Sequence, residues 1–317
     1  MIVAVTGGTG FIGGKLVERL VERGDTVRLL TRSSTLFKQS LLVEIHECDL
    51  VTVGINELSS MLDGVDVLYH CAGEIRDVSR MEAVHVLGTR RLVEAATGQI
   101  GRWVQLSSTG AYGQQREGII TERTRLNPRG MYEVTKVKSD ALVKAASSSG
   151  AFQHVILRPS IVYGAKMPNQ SLYSLIYMIQ RGWFFFIGKP GASANYIHVD
   201  NVVEALVLCG NMPQATGQVY NLSDHCTIER FVAIIAELLG RDVPRTRLPE
   251  PPLRALVKLF GRIPDMPLTQ TRIDALTTRV IYSNDKIEQE LGYQHPLSME
   301  DGLSDLVGYW QSGCNKS

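Results

Sequence analysis

The 317-residue sequence predicts an α/β fold: a doubly wound parallel sheet carrying a second, smaller α/β lobe. Three observations predict it. The chain opens on a short apolar strand that runs straight into glycines spaced as Gly7, Gly10 and Gly13. Short apolar strands then alternate with amphipathic helices through the first half, which implies parallel strands joined by right-handed crossovers. After Arg158-Pro159 the texture changes to proline-rich joints at 249–252 and 264–267, aromatic patches and more closely spaced helices.

The elements follow in order. Residues 2–5 read as a buried strand. Gly7 permits the tight turn out of it, Gly10 lets the backbone approach a pyrophosphate, and Gly13 lets the next helix pack close to the sheet. Leu16, Val17, Leu20 and Val21 continue an apolar face over a helix near 11–23, which Gly24-Asp25 ends. The start of that helix offers unpaired N–H groups and a positive dipole end, so the turn reads as a dinucleotide-binding site. Further strands are expected near 26–31, 43–47, 66–71, 102–107 and 153–158, with helices near 80–98 and 131–149. Near 299–311, Met299, Leu303, Leu306, Val307 and Trp310 share one helical face, which predicts docking against the body. The expected division is a nucleotide-binding domain at 1–165, to which 196–222 returns, and a substrate-binding lobe at 166–317.

Composition narrows the function classes. A formal charge of +1 and the absence of a Lys/Arg cluster argue against a nucleic-acid surface. Five cysteines (Cys48, Cys71, Cys209, Cys226, Cys314) lack C-x-x-C spacing, which suggests reduced thiols in a cytoplasmic protein. The histidines show no ligand spacing, so no metal is expected. No apolar run reaches the roughly 18 residues that span a bilayer, and the N-terminus lacks the basic leader of an export signal. The stretch from Pro251 to Pro264 mixes cations with a Leu/Val/Phe face. It reads either as a lid or docking helix or as a peripheral membrane contact.

A lysine four residues after a tyrosine shares its helical face, where the ammonium can lower the phenol pKa and ready it for proton exchange. Two pairs qualify, Tyr132 with Lys136 and Tyr282 with Lys286. Position separates them. Tyr132 opens a long helix shortly after a strand ending in Ser107-Ser108-Thr109, at the sheet edge where open α/β folds bind ligands. Tyr282 lies late in the chain, where Ser283 looks like the N-cap of a helix running to Leu291-Gly292, so that pair reads as structural.

With these residues in view, the sequence resembles the extended short-chain dehydrogenases/reductases of the NAD(P)-dependent epimerase/dehydratase type, along nearly its whole length. The matching stretches include T-G-G-T-G-F-I-G at 6–13, Asp49-Leu50, His70-Cys71-Ala72-Gly73 and S-S-T-G-A-Y-G at 107–113. They continue with Y-E-V-T-K at 132–136, L-R-P-S-I-V-Y-G at 157–164 and Y-I-H-V-D-N-V at 196–202. The resemblance implies a Rossmann-type fold, with Tyr132 as general acid/base, and Lys136 tuning it and holding the nicotinamide ribose. Ser108 would hold the substrate oxygen, with Thr109 as runner-up. Gly7, Gly10, Phe11, Ile12 and Gly13 would face the pyrophosphate, and Asp49 and Leu50 would flank the adenine. Cys71, Ala72 and Gly73 would pass under the cofactor, and Pro159 and Ser160 would border the nicotinamide. A homodimer built on the helices near 80–98 and 131–149 is also implied.

Departures from the family pattern refine the expectations. His85 stands where an asparagine is common, either as part of a proton relay or as a packed helix residue. The second strand ends in Thr31-Arg32-Ser33-Ser34 without an acid, which suits the 2′-phosphate of NADP, with NAD as the alternative. Thr109-Gly110-Ala111 lacks the Asp-Glu of sugar 4,6-dehydratases, which argues against that reaction. Before the second-lobe strand, Gly188-Lys189-Pro190-Gly191-Ala192-Ser193-Ala194-Asn195 contains no diphosphate-pairing arginine. The expected activity is an oxidoreductase moving hydride at a secondary alcohol or ketone. Its small-molecule substrate is either a nucleotide sugar, reduced or epimerised, or an apolar alcohol of sterol or isoprenoid type. The run Trp183-Phe184-Phe185-Phe186 is either the wall of an apolar pocket or core. A cofactor-binding sensor without catalysis is the rival of another class.

Overall fold

The computed structural model describes residues 1–33, 41–260 and 269–313. Its first half lays down β1 Ile2–Thr6, β2 Thr26–Thr31, β3 Val43–Glu47, β4 Val65–His70, β5 Ile100–Leu106, β6 Glu117–Ile120 and β7 Gln153–Pro159. The later strands are β8 Ile161–Tyr163, β9 Phe186–Ile187, β10 Ser193–His198, β11 Val219–Leu222, β12 Asp224–Thr227, β13 Arg247–Leu248 and β14 Arg279–Tyr282. The helices are α1 Phe11–Glu22, α2 Ile55–Leu62, α3 Val78–Glu82, α4 Thr89–Ala96, α5 Met131–Ser148 and α6 Ser171–Gln180. They continue with α7 Val199–Asn211, α8 Ile228–Leu238, α9 Glu250–Phe260, α10 Gln270–Thr277, α11 Asp285–Leu291 and α12 Met299–Gln311.

Seven strands form one parallel sheet in the order β11-β7-β5-β4-β1-β2-β3. The near-continuous apolar character of β1 follows from this: Val3, Ala4 and Val5 are fully buried because helices cover both faces. Leu16, Val17 and Leu20 of α1 and Val202, Val203 and Leu206 of α7 pack on one face. Leu58 and Leu62 of α2, Leu92 of α4 and Val143 of α5 pack on the other. The chain adds β2 and β3 on one side of β1 and then crosses to β4 on the other. That crossing opens a crevice at the carboxyl edge.

The second half contributes β11 to the edge of this sheet. It also builds a three-stranded sheet in the order β12-β10-β8, packed by α6, α8 and α12 around Phe231, Ile235, Leu303 and Leu306. Phe184 and Phe186 meet edge to face within that core, and Tyr173 is buried beside them, so these aromatics are core and not a pocket wall. Trp183 alone of the run is largely exposed. On α9, Leu256 and Leu259 face solvent, while 261–264 of the same expected segment, Ser34 and Cys314 lie outside the described residues. Among the described residues no helix is long and apolar enough to cross a membrane.

Two expectations change in detail. The helix near 80–98 is broken into α3, a π-helical stretch over Ala83–Gly88, and α4. Tyr282 ends strand β14 and is not on a helix with Lys286. The cap of α11 is Asn284, one residue beyond Ser283, although the Ser283 hydroxyl still accepts the Asp285 N–H.

Candidate active site

A cavity of about 300 Å³ opens at the carboxyl edge of β1, β2 and β4. It is lined by eight residues singled out from the sequence: Gly7, Gly10, Arg32, Asp49, Leu50, Cys71, Ala72 and Gly73. Gly7 has φ +71°, and a Cβ there would come within 2.7 Å of the Ala72 backbone. A Cβ on Gly13 would overlap the Gly7 carbonyl, so α1 approaches the strand as closely as a glycine allows. Gly10 is the N-cap of α1 with no side chain closing the helix start, which leaves the first amides for an anion. These features fit a dinucleotide phosphate.

Seven expected cofactor residues stand outside this lining, Tyr132 and Lys136 on α5 and five others. Gly13 is buried beneath Gly7, Ile12 packs on the sheet core, and the Phe11 ring is directed at Gly164, 3.4 Å from where a Cβ would stand. Pro159 ends β7. Ser160 is buried with its amide on the Leu222 carbonyl and its hydroxyl without a partner among the described residues. At the other rim Asp49 accepts the Val51 N–H at 2.9 Å, and Arg32 is exposed. The Glu74 carboxyl lies below its usual range, first through the Arg76 amide, with the Arg32 guanidinium contributing.

Helix α5 begins after Gly130, which makes Tyr132 its second residue. Lys136 is buried and its Nζ donates to the Leu106 carbonyl at 2.6 Å, two residues before Ser108. Burial lowers the Lys136 pKa, with Asp140 and Cys71 opposing. The expected lowering of the phenol is corrected here: burial pushes Tyr132 up to about 12, and Glu133 and Asp140 add to the rise. The reason is geometric, since the ammonium is held on the strand carbonyl while the phenol loses water.

The three hydroxyls at the end of β5 have different duties. Ser107 is buried and donates to Asp140 Oδ2 at 2.8 Å. Thr109 is buried and lies beside the Tyr282 phenol, opposing the rise that burial imposes on that phenol's pKa. Ser108 accepts the Gly110 N–H at 3.1 Å, a bond that leaves its own proton to donate. The Lys286 ammonium is taken up by Gln218 Oε1 and the Val219 carbonyl, in keeping with a structural role for that pair.

His85 has both ring nitrogens engaged. Nε2 accepts the Glu74 N–H at 2.8 Å, so Nδ1 carries the proton and donates to Thr135 Oγ1 at 2.7 Å; Thr135 in turn donates to the carbonyls of Met131 and Tyr132. The ring also meets Tyr132 edge to face at 5.6 Å. Burial, then Lys136, lowers its pKa to about 4. Both ring nitrogens are thus tied within the protein, the arrangement of a packed helix residue.

A buried ion pair under the site was missed from the sequence. Arg158 Nη2 bonds Asp140 Oδ2 at 3.1 Å, and Arg158 Nη1 bonds the Tyr112 hydroxyl, which donates to Asn221 at 2.7 Å. Asp140 lies four residues after Lys136 on the same helical face, the one signal that marked it. Among the described residues no group of three potential ligands gathers to hold a metal.

The profile of the NAD dependent epimerase/dehydratase family matches residues 3–223. A 4-hydroxy-2-methyl-3-oxo-4-farnesyl-3,4-dihydroquinoline-1-oxide ketoreductase of Stigmatella aurantiaca is 28% identical over 95% of this chain and 94% of its own. Sterol demethylase protein B of Methylococcus capsulatus is 31% identical over 98% of both chains. The crystal structure of UDP-glucuronic acid 4-epimerase from Bacillus cereus, in complex with NAD, superposes with a TM-score of 0.77 at 19% identity, covering 98% of this chain and 99% of that one. The last likeness bears on the fold alone. Crevice, glycine turn, tyrosine helix and profile agree, and the chain belongs to the NAD dependent epimerase/dehydratase family.

Proposed function

We propose that the protein is an NADP(H)-linked oxidoreductase that interconverts a secondary alcohol and a ketone on an apolar substrate of sterol or isoprenoid type. The observation that carries the chemistry is the set of roles around Ser108: one hydroxyl with a free proton, a phenol at the start of α5, and a buried ammonium anchored two residues upstream. A nicotinamide dinucleotide bound in the crevice supplies the hydride acceptor or donor. Ser108 holds the substrate oxygen, and Tyr132 exchanges its proton. With its pKa raised to about 12, the phenol is protonated at neutral pH, the form that donates to a carbonyl being reduced. Lys136 adds positive potential at the same edge. NADP is favoured because Arg32 directly follows β2 with no acid after it.

Support for an apolar substrate comes from the approach to β10. Asn195 donates to the Val280 carbonyl, and Arg279 directs its guanidinium to the carbonyls of Lys189 and Pro190. No guanidinium there is left for a diphosphate among the described residues. The two sequence relatives named above, a farnesyl-quinoline ketoreductase and a sterol demethylase protein, point the same way.

The test offers NADPH and NADH separately with steroid ketones, isoprenoid ketones and UDP-sugars, following nicotinamide absorbance and, for the UDP-sugars, inversion in the recovered sugar. Wild type should reduce a hydrophobic ketone, and Tyr132→Phe should lose at least about 100-fold in turnover while binding cofactor normally. Conversion of UDP-sugars alone would overturn the substrate assignment. Undiminished turnover by Tyr132→Phe would overturn the chemistry.

A further inference from the structure

The loop after β5 carries no acid, yet a carboxylate reaches it from the neighbouring helix. Glu133 follows Tyr132 and folds back over the first turn of α5. A Cβ on Gly110 would meet Glu133 Cγ at 2.9 Å, Ser108 Oγ at 3.3 Å and Glu133 Oε1 at 3.8 Å. Ser108 Oγ and the carboxylate therefore stand within 4 Å of a single point. A Cβ on Gly130 would overlap Glu133 Oε2. Two glycines thus clear the space that this carboxylate fills. Half-buried, it makes no hydrogen bond and no ion pair among the described residues. A glutamate at this helical position ordinarily reaches back to the N-cap amide, and that bond is not made here.

We propose that Glu133 is a catalytic base that removes a proton from the carbon beside the substrate carbonyl, so that the site enolises the ketone as well as reducing it. The inference rests on the reading of Ser108 and Tyr132 given above. The C–H electron pair becomes the new C=C bond, the carbonyl pair moves onto oxygen, and the proton passes to the Glu133 carboxylate. Ser108 and the protonated Tyr132 phenol donate to that oxygen, where the negative charge develops. Return of the proton to carbon restores the ketone. No electron enters or leaves, so the step needs neither oxidant nor reductant. Such a site can invert the neighbouring carbon, shift a double bond or expel a leaving group one carbon further on.

The test uses the full-length protein in D₂O with 5α-androstan-3-one and, separately, geranylacetone, and reads deuterium at the carbons flanking the carbonyl by mass spectrometry. Reduction of the same ketones by NADPH is measured in parallel. Wild type should exchange at least 100-fold faster than buffer. Glu133→Gln should cut the ratio of exchange to reduction at least 30-fold, and Glu133→Asp should recover part of it. Reduction without exchange in wild type, or an unchanged ratio in Glu133→Gln, overturns the inference and leaves the proposed function standing. If Glu133→Gln lowers the melting temperature and both rates in proportion, Glu133 is a helix cap only and the inference fails. Absence of reduction with both ketones overturns the proposed function and the inference with it.

Discussion

Replacing His85 by alanine tests whether the floor of the crevice is fastened to the tyrosine helix. The change deletes the acceptor of the Glu74 N–H at 2.8 Å, the donor to Thr135 at 2.7 Å and the edge-on contact with Tyr132. Thr135 keeps its bonds to Met131 and Tyr132, so the half-buried Glu74 amide bears the main loss, about 1–3 kcal/mol. The ring contact adds roughly 0.5–1.5 kcal/mol. A destabilisation of about 1.5–4.5 kcal/mol is expected, which for a chain of this size lowers the melting temperature by about 2–7 °C. A pH arm makes the test specific. The folded-state pKa of His85 is depressed to about 4, so its contribution is fully present above the unfolded value near 6.5 and is lost as pH falls toward 4. The gap between wild type and His85→Ala should therefore narrow from pH 7.5 to pH 4.5 in scanning fluorimetry. Buried His154 and His198 titrate in both proteins and cancel in that difference, and His70, which His85 helps to lower, is held low in both first by burial and then by Lys136. A variant melting within 1 °C of wild type at pH 7.5, or a gap that does not change with pH, would refute the reasoning.

Three further outcomes are expected. Gly7→Ala forces a side chain into φ +71° and against the Ala72 backbone at 2.7 Å. It should weaken NADPH binding more than tenfold by fluorescence titration, and wild-type affinity would show that the turn yields. Arg32→Asp should raise the Kd for NADPH at least tenfold and lower that for NADH, a reversal that isothermal calorimetry would detect. Arg158→Met strands the buried Asp140 carboxylate and should cost about 3–5 kcal/mol in urea unfolding, whereas the double variant with Asp140→Leu should recover most of it.

Much of the fold was legible because its signals are local. The glycines at 7, 10 and 13 are three residues apart and act within one turn, and strands such as β1 and β7 carry uninterrupted apolar runs. Position in the chain also separated Tyr132 from Tyr282. What stayed hidden depends on residues that only tertiary folding brings together. Asp140 and Arg158 meet because α5 crosses from β5 to β7, and nothing in their 18-residue separation announces a pair. The π-helical stretch at Ala83–Gly88 escaped because one extra residue in a turn leaves the apolar pattern of 80–98 nearly intact. The lowered phenol pKa was expected from the four-residue spacing alone, but spacing cannot reveal that the Leu106 carbonyl claims the lysine.

The buried polar groups between crevice and tyrosine helix form a single line with every donor accounted for. The Ala72 N–H donates to Thr6 Oγ1, Thr6 to His70 Nδ1, and His70 Nε2 to Thr89 Oγ1, while Thr89 donates to the His85 carbonyl. From the far side Trp103 donates to Gln105, Gln105 to Ser139 of α5, and Ser139 to Thr89. This direction is the one that satisfies His70 as a neutral ring, consistent with its low pKa. Each bond fixes the polarity of the next, so a shift of the Ala72 amide on ligand entry would leave a buried donor or acceptor unpaired at about 1–3 kcal/mol. The floor of the crevice and α5 are thus held in one arrangement before any ligand arrives. Preorganisation of this kind is what proton exchange at Tyr132 requires, since a donor that had to be repositioned during the reaction would spend binding energy on its own ordering.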